Sequence, residues 1–215
     1  MSQLPRAKPS QRGVSHLIAF FVSLVVGVIL VAEAPPGRAT VGAAIYLGSI
    51  SFLFGASALY HVPMWTPRAR RWLRRLDHAA IFLLVAGSYT PIAMLALTPE
   101  RGARMLLIIW VGAAAGLLQS LLWVHAPRPV SVAIYATLAF AFVVDGTAIF
   151  EGLGALGTVL IWLGGAVYLA GAVIYARRRP DPYPSVFGYH EIFHLLVIVA
   201  ASLHLVAIGR VILSA

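Results

Sequence analysis

The sequence contains no cysteine among its 215 residues. Disulfide bonds, thiolate metal sites and cysteine nucleophiles are therefore excluded, and any metal must be held by histidine and carboxylate side chains. Lysine is almost absent as well, because Lys8 is the only one. Since Lys8 precedes the first apolar segment, no helix can carry a retinal Schiff base. A microbial rhodopsin is thereby excluded on chemical grounds.

Charge is also scarce. Charged residues make up 11% of the chain and hydrophobic residues 60%. A soluble domain has about a quarter charged and about half apolar residues. This composition indicates an integral membrane protein, and the length suits one compact bundle without a second domain.

Seven apolar runs are long enough to cross a bilayer, whose core of about 30 Å requires about 20 helical residues. They cover residues 15–32, 40–62, 77–97, 104–124, 130–149, 155–176 and 188–213. Proline and glycine interrupt the chain between them, including Gly152 to Gly157. We therefore predict an all-α fold, a seven-transmembrane helix bundle over residues 15–213 after a polar cytoplasmic tail over residues 1–14. A cleaved signal peptide is the alternative for the first run, but the run is long and Pro35-Pro36 follows it.

The net charge of +9 reflects basic residues in the short loops between these runs. With the N-terminus inside, twelve of the sixteen basic residues lie on the cytoplasmic side. The positive-inside rule therefore predicts a cytoplasmic N-terminus and an external C-terminus. No nucleic-acid-binding motif accompanies the charge, so we expect membrane lipids as partners and no nucleic acid.

Ionisable residues at membrane depth are costly, and each calls for a functional hypothesis. His61 ends the second run, Asp77 begins the third, and His190 and His194 begin the seventh. The predicted topology puts all four at the cytoplasmic ends of their helices. Distant parts of the chain thus deliver three imidazoles and a carboxylate to one layer.

These residues have the spacing of a zinc site. His190 and His194 are four residues apart and share a helix face. With His61 they would provide three ligands and leave one position for water, as in catalytic zinc sites. Ser57 shares the face of His61, and its hydroxyl group could hydrogen-bond the metal-bound water or a substrate oxyanion. Asp77 could act as a base or orient the water, because zinc lowers the pKa of its bound water towards about 7. A haem between two of the histidines is the alternative, although it would leave the third histidine, Asp77 and Ser57 without a role.

Other polar residues are expected outside the site. His78 points about 100° away from Asp77 around the helix. We expect it to pack against other side chains or to support a ligand, and not to bind the metal itself. Glu191 is expected to face the cytoplasm or lipid head groups. His204 lies about 21 Å along the axis from His190 and cannot share its metal. Polar contacts elsewhere in the bundle are expected for His16, Asp145 and His204. His125 is expected to lie in a loop.

Three segments closely resemble the hemolysin III family, the bacterial branch of the progestin and adiponectin receptor group, which is more distantly related to alkaline ceramidases. They are SALYH at 57–61, LRRLDHAAIFLLVAGSYTP at 73–91 and VFGYHEIFHLLVIVAASLH at 186–204. The resemblance covers about 190 residues. It implies seven helices, an inside N-terminus and zinc held by His61, His190 and His194. It also implies that Ser57 and Asp77 act near the metal, the aspartate through a water.

The first helix departs from the family pattern. His16 stands where a histidine is usual, but Gln11, Arg12 and Gly13 replace the acidic and asparagine residues often found before it. This departure puts in doubt any family role carried onto the first helix.

Three functions are compatible with these observations. The first is a zinc-dependent hydrolase of lipid amide or ester bonds in the bacterial inner (plasma) membrane. The second is a non-enzymatic sensor or regulator of lipid state or membrane energetics, with zinc as a structural staple. The third, a pore-forming hemolysin, follows the family's name, but tightly apolar helices without a convincing secretion signal suit a resident membrane protein.

Overall fold

The computed structural model describes residues 9–123 and 126–215. The tail residues Arg6 and Lys8 and the predicted loop residue His125 lie outside this part of the chain. Within it, the secondary structure is helical apart from one isolated bridge between Tyr183 and Phe187. The helices are α1 (Val14–Glu33), α2 (Arg38–His61), α3 (Pro67–Leu95), α4 (Pro99–Leu122), α5 (Arg128–Ala139), α6 (Gly146–Arg177) and α7 (Tyr189–Leu213), with a 3-10 segment (Phe140–Asp145) after α5.

Six of these helices are long and apolar enough to cross a membrane, counting only the described residues: α1, α2, α3, α4, α6 and α7. Their polarity is inverted relative to a soluble bundle. On α1, for example, Ile18, Phe21 and Val25 are exposed while His16 and Ser23 are buried. Such a surface is stable only against lipid, so the fold is that of a multi-pass membrane protein.

The third helix begins earlier than its hydropathy predicts. α3 starts at Pro67 rather than near Asp77, because Thr66 caps it by accepting a hydrogen bond from the Ala69 amide at 3.3 Å and proline suits the first helical turn. The arginine-rich stretch that looked like a loop is therefore helical. Asp77 consequently lies inside α3 and not at its start, which corrects that part of the prediction.

The fifth apolar run is not one continuous helix, contrary to prediction. α5 has 12 residues and gives way to the 3-10 segment. The Tyr89 hydroxyl donates to the Ala139 carbonyl at 2.6 Å, which occupies an oxygen at the junction that a continuing α-helix would use. The predicted break before the sixth run is present at Gly154, whose φ of 66° interrupts α6 and is accessible mainly to glycine.

The bundle packs through two apolar clusters. One joins α1, α2, α6 and α7 to α3, around the buried residues Ala43, Tyr46 and Ile208. The other joins α3 and α4 to the start of α6, around Phe82 and Ile109. α2 packs closely on α3, and α6 on α7. The end of α2, the start of α7 and the first half of α3 therefore meet at one end of the bundle.

Candidate metal centre

Three imidazole rings meet where α2 ends and α7 begins. His61 is the last residue of α2, and His190 and His194 occupy the first two turns of α7. One ligand atom from each ring lies within 4.8 Å of the others. His61 and His194 are buried, and His190 is half-buried. The three residues predicted as metal ligands are thus brought together and could hold a metal ion.

The geometry fits such an ion. Nε2 of His190 lies 3.2 Å from Nε2 of His61. Two nitrogens that bind the same tetrahedral zinc ion at the usual zinc–nitrogen distance would be about 3.4 Å apart. Nδ1 of His194 is buried and, among the described residues, has no hydrogen-bond partner. Burying a nitrogen without a partner is costly. A metal ion beside the rings, which would accept an electron pair from nitrogen, therefore suits this cluster.

The predicted carboxylate lies beside the rings. Oδ2 of Asp77 is 3.8 Å from Nε2 of His61, too far for a direct hydrogen bond. Ser57, one turn before His61, lies close enough to the Asp77 carboxyl group to interact with it. Ser57 therefore places a hydroxyl group beside Asp77 at the edge of the cluster.

The N-terminal segment, defined here as residues 9–16, closes one side of the histidine cluster. This contact corrects the prediction for His16. The His16 ring stacks on the His194 ring with centroids 3.9 Å apart and planes inclined by 11°. Its Nε2 also lies 3.2 Å from the His194 carbonyl oxygen. His16 was expected elsewhere in the bundle, because the i, i+4 spacing on α7 gives no information about what packs behind the second histidine.

Glu191 corrects a second prediction. It is buried and pairs with Arg12 instead of facing the cytoplasm or lipid head groups. Its Oε2 also accepts a hydrogen bond from the Gly188 amide at 2.8 Å, which caps the start of α7. The Glu residue three positions after a helix start was the available sequence signal for this capping role.

Gly13, in the same N-terminal segment, packs directly against His61. It ends the turn before α1 with a φ of 84°, and a Cβ atom at this position would lie 2.6 Å from Cβ of His61. Backbone hydrogen bonds from Ser10 and Gln11 to Ser185 and Val186 hold the same segment against the loop before α7. Arg12 and Gly13 were not predicted as site residues.

The other predicted polar residues have hydrogen-bond partners outside the three-histidine group. His78 contacts the Tyr135 hydroxyl through Nδ1 at 3.0 Å. His204 contacts the Ile161 carbonyl through Nε2 at 3.1 Å. Asp145 accepts two hydrogen bonds from Arg104, both 2.9 Å long.

The cluster opens onto a cavity of about 410 Å³. Its wall includes His61, His190, His194 and Asp77 at one end. Further along, the wall is formed by apolar side chains such as Leu84 and Ile92 of α3. The cavity therefore connects an apolar interior to the histidine cluster.

The fold and this site define a multi-pass helical membrane protein with a buried three-histidine group that could hold a metal ion. The family model for haemolysin-III related proteins matches residues 5–205. The chain therefore belongs to the haemolysin-III related family, which confirms the resemblance found in its sequence motifs.

Curated relatives agree with this assignment. Hemolysin-3 of Bacillus cereus is 29% identical over 188 residues, covering 86% of this chain and 83% of the relative. The Hemolysin-3 homolog of Bacillus subtilis (strain 168) is 27% identical over 150 residues, or 70% of this chain and 67% of the relative. Human monocyte to macrophage differentiation factor is 28% identical over 172 residues, or 77% of this chain and 68% of the relative.

Replacing any ligand of the cluster should remove the metal. The protein purified without added chelator is expected to carry about one equivalent of divalent metal, and His61→Ala, His190→Ala and His194→Ala should each retain less than about a tenth of it. Elemental analysis of detergent-purified protein measures this. His78→Ala is the matched control, since His78 bonds Tyr135 outside the cluster. Full metal content in the His194→Ala variant would contradict the assignment.

The Gly13→Ala variant should weaken metal binding through His61. Gly37 has a φ of 104°, and a Cβ atom at this position would meet no neighbouring atom within 4 Å, so Gly37→Ala reports backbone strain alone. Gly13→Ala adds a collision with His61 and should lower metal affinity at least about tenfold more than Gly37→Ala. Competition with a chelating dye gives both affinities. Equal losses in the two variants would show that the N-terminal segment does not support the metal centre.

Proposed function

We propose that this protein is a zinc-dependent membrane hydrolase that cleaves an amide or ester bond of a lipid. The observation that carries the proposal is the opening of the three-histidine cluster, with Asp77 beside it, onto a cavity of about 410 Å³. Structural zinc sites have four protein ligands and are closed, whereas catalytic sites have three and stay accessible. The cavity therefore favours catalysis over the second candidate, a regulator in which zinc only joins the helices.

The chain's own residues have distinct roles in this proposal. His61, His190 and His194 hold the ion, which when bound supplies Lewis acidity to a carbonyl group and acidifies water. Asp77 takes the proton from the attacking water and returns it to the leaving group. Ser57 orients Asp77 through its hydroxyl group, which lies beside the carboxyl group.

The cavity wall suits a lipid. Leu53 of α2, Leu84 of α3 and Val197 of α7 contribute apolar surface that can take up an acyl chain. The bond to be cleaved would then lie at the histidine cluster, close to one end of the bundle. Membrane lipids are accordingly the proposed partners, and nucleic acid is not.

Seven membrane crossings with the N-terminus inside are part of the proposal. Although α5 is short, the chain from α5 through the 3-10 segment contacts points of increasing distance from the metal centre. Tyr135 contacts His78 near the centre, Ala139 accepts from Tyr89, and Asp145 pairs with Arg104 near the start of α4. This sequence of contacts supports an interrupted fifth crossing.

The charge distribution and the curated Bacillus relatives support a place in the bacterial inner (plasma) membrane. Basic residues concentrate on the side of the bundle that carries the metal centre, where α3 begins and α6 ends. The positive-inside rule assigns this side to the cytoplasm.

Lipid hydrolysis should depend on the metal and on Asp77. Purified protein is expected to release fatty acid from acyl amides or esters, with loss of turnover on chelation and recovery with zinc. Asp77→Asn should lower kcat at least about 100-fold, the lower range for a missing general base. Quantifying released fatty acid over a panel that includes ceramide-like amides measures the rates.

Ser57→Ala should lower kcat about tenfold, because Asp77 loses the polar hydroxyl group that lies beside it. Ser202→Ala is the control, since that hydroxyl is exposed and bonds the Ile198 carbonyl of its own helix. Absence of metal-dependent turnover across the whole panel, in protein with full metal content, would reject the hydrolase proposal.

The topology is testable because the native chain has no cysteine. In intact cells, a membrane-impermeant thiol reagent should label the Ser214→Cys variant, after α7, but not the Met64→Cys variant, between α2 and α3. Lysis should make Met64→Cys reactive, since Met64 is 84% exposed. Protection of both positions in intact cells would indicate an even number of crossings and contradict the proposal.

A further inference from the structure

We propose that Arg70 and Arg74 bind the anionic head, a phosphate or a carboxylate, of an amphiphile whose tail lies deeper in the same cavity. The inference rests on the proposed function for the cleavage of that amphiphile. Recognition of the head group can be measured without cleavage.

Two arginines of α3 are distinguished from the others by their position at the cavity wall. Five arginines lie near the start of this helix, and of these only Arg70 and Arg74 line the cavity. They are four residues apart, so they share one helix face. Arg75 instead stacks on Trp72, with Cζ 4.5 Å from the ring centroid. Membrane topology accounts for the number of basic residues but not for two of them facing a cavity.

Neither arginine is neutralised by an ion pair. Over residues 9–123 and 126–215, Arg70 and Arg74 form no salt bridge with a carboxylate. Arg12, the third arginine of the cavity wall, is paired with Glu191. Asp77 is the one carboxylate of the wall, and Arg74 lies near enough to interact with its charge. The mouth of the cavity therefore has a surplus of positive charge.

Arg70 is held close to the metal centre. Its Cζ lies 5.6 Å from the centroid of the Tyr60 ring, and the Tyr60 and His61 centroids are 4.4 Å apart. The distance from the Arg70 guanidinium carbon to the centroid of the His61 ring therefore cannot exceed the sum of these two distances. The aromatic ring restrains an otherwise mobile side chain, which lowers the entropic cost of binding an anion.

The cavity face of α3 has the polarity of an amphiphile. Arg74 precedes Asp77 by about 5 Å along the axis, and Arg70 precedes it by about 10 Å. Beyond Asp77 the lining is mainly apolar, through Ile81 and on to Ile92, about 22 Å past the carboxylate. The positions suited to the head group, the reactive bond and the tail of an amphiphile therefore follow one another in this order along α3.

This order specifies a substrate class. The substrate is a fatty acyl ester or amide whose leaving group carries the anion within about 10 Å of the carbonyl. Hydrolysis breaks the bond from the carbonyl carbon to oxygen or nitrogen. Water supplies the hydroxyl group of the released fatty acid and the proton of the released alcohol or amine. A neutral lipid would leave the two guanidinium groups without a partner.

The first experiment measures binding of non-hydrolysable probes in a neutral maltoside detergent. Dodecyl phosphate should bind the metal-loaded protein at least about tenfold tighter than dodecanol, as expected for charge-assisted hydrogen bonds. It should also bind at least about tenfold tighter than inorganic phosphate, which lacks the tail. Equal affinity for dodecyl phosphate and dodecanol would overturn the inference, and equal affinity for inorganic phosphate would reduce the site to one for free anions.

Variants separate the arginines from the metal and from general surface charge. Arg70→Gln and Arg74→Gln should each reduce the preference for dodecyl phosphate at least about fivefold, with unchanged metal content, and Arg74→Lys should retain part of it. Arg68→Gln and Arg71→Gln remove equal charge outside the cavity and should leave the preference intact. Equal losses in all four glutamine variants would assign the effect to surface charge and overturn the inference.

A hydrolysis assay distinguishes this inference from the function on which it rests. Turnover of an N-acylglycine should exceed that of the neutral N-acylethanolamine of the same chain at least about tenfold in kcat/KM, and Arg74→Gln should abolish the difference. Arginine-dependent binding of dodecyl phosphate without turnover of any lipid would reject the hydrolase but retain the anion site. Turnover that favours the neutral amide would reject the anion site but retain the hydrolase.

Discussion

The contact between the end of α2 and the start of α7 is the constraint on which the remaining features depend. It brings Nε2 of His61 within 3.2 Å of Nε2 of His190, although the two residues are 129 positions apart in the chain. Neither helix can shift along the other without separating these nitrogens. Asp77, the N-terminal segment and the mouth of the cavity are all arranged around this one junction.

The N-terminal segment, from residue 9 to His16 in the first turn of α1, forms a wall of the three-histidine cluster and is not only a polar tail. Its backbone bonds the loop before α7, Arg12 pairs with Glu191, and His16 stacks on His194. These contacts bury one side of the histidine cluster, while the other side faces the cavity. A site with one buried side and one open side can restrain its side chains and still be reached from the cavity.

Lipid surroundings explain where the polar groups lie. The bundle presents apolar side chains outward, so polar residues are concentrated inside, where every unpaired group is costly. Several histidine, serine and tyrosine side chains accordingly contact one another or backbone carbonyl oxygens. Arg70 and Arg74 differ in position, because they are the two of the five arginines near the start of α3 that line the cavity. This difference sets them apart from the charge that membrane topology requires.

The sequence by itself determined the helical class, the bilayer-length runs and the identity of the three clustered histidines. Hydropathy period and i, i+4 spacing are local properties, so they can be read without coordinates. Local pattern misplaced the start of α3, since hydropathy ignores a helix cap such as Thr66, and it missed the break after α5. Only the tertiary structure decided that His16 lies behind His194, that Glu191 is buried, and that two of five arginines face the cavity. Those facts depend on which helices pack together and at what rotation, and helix packing joins residues that no local spacing relates.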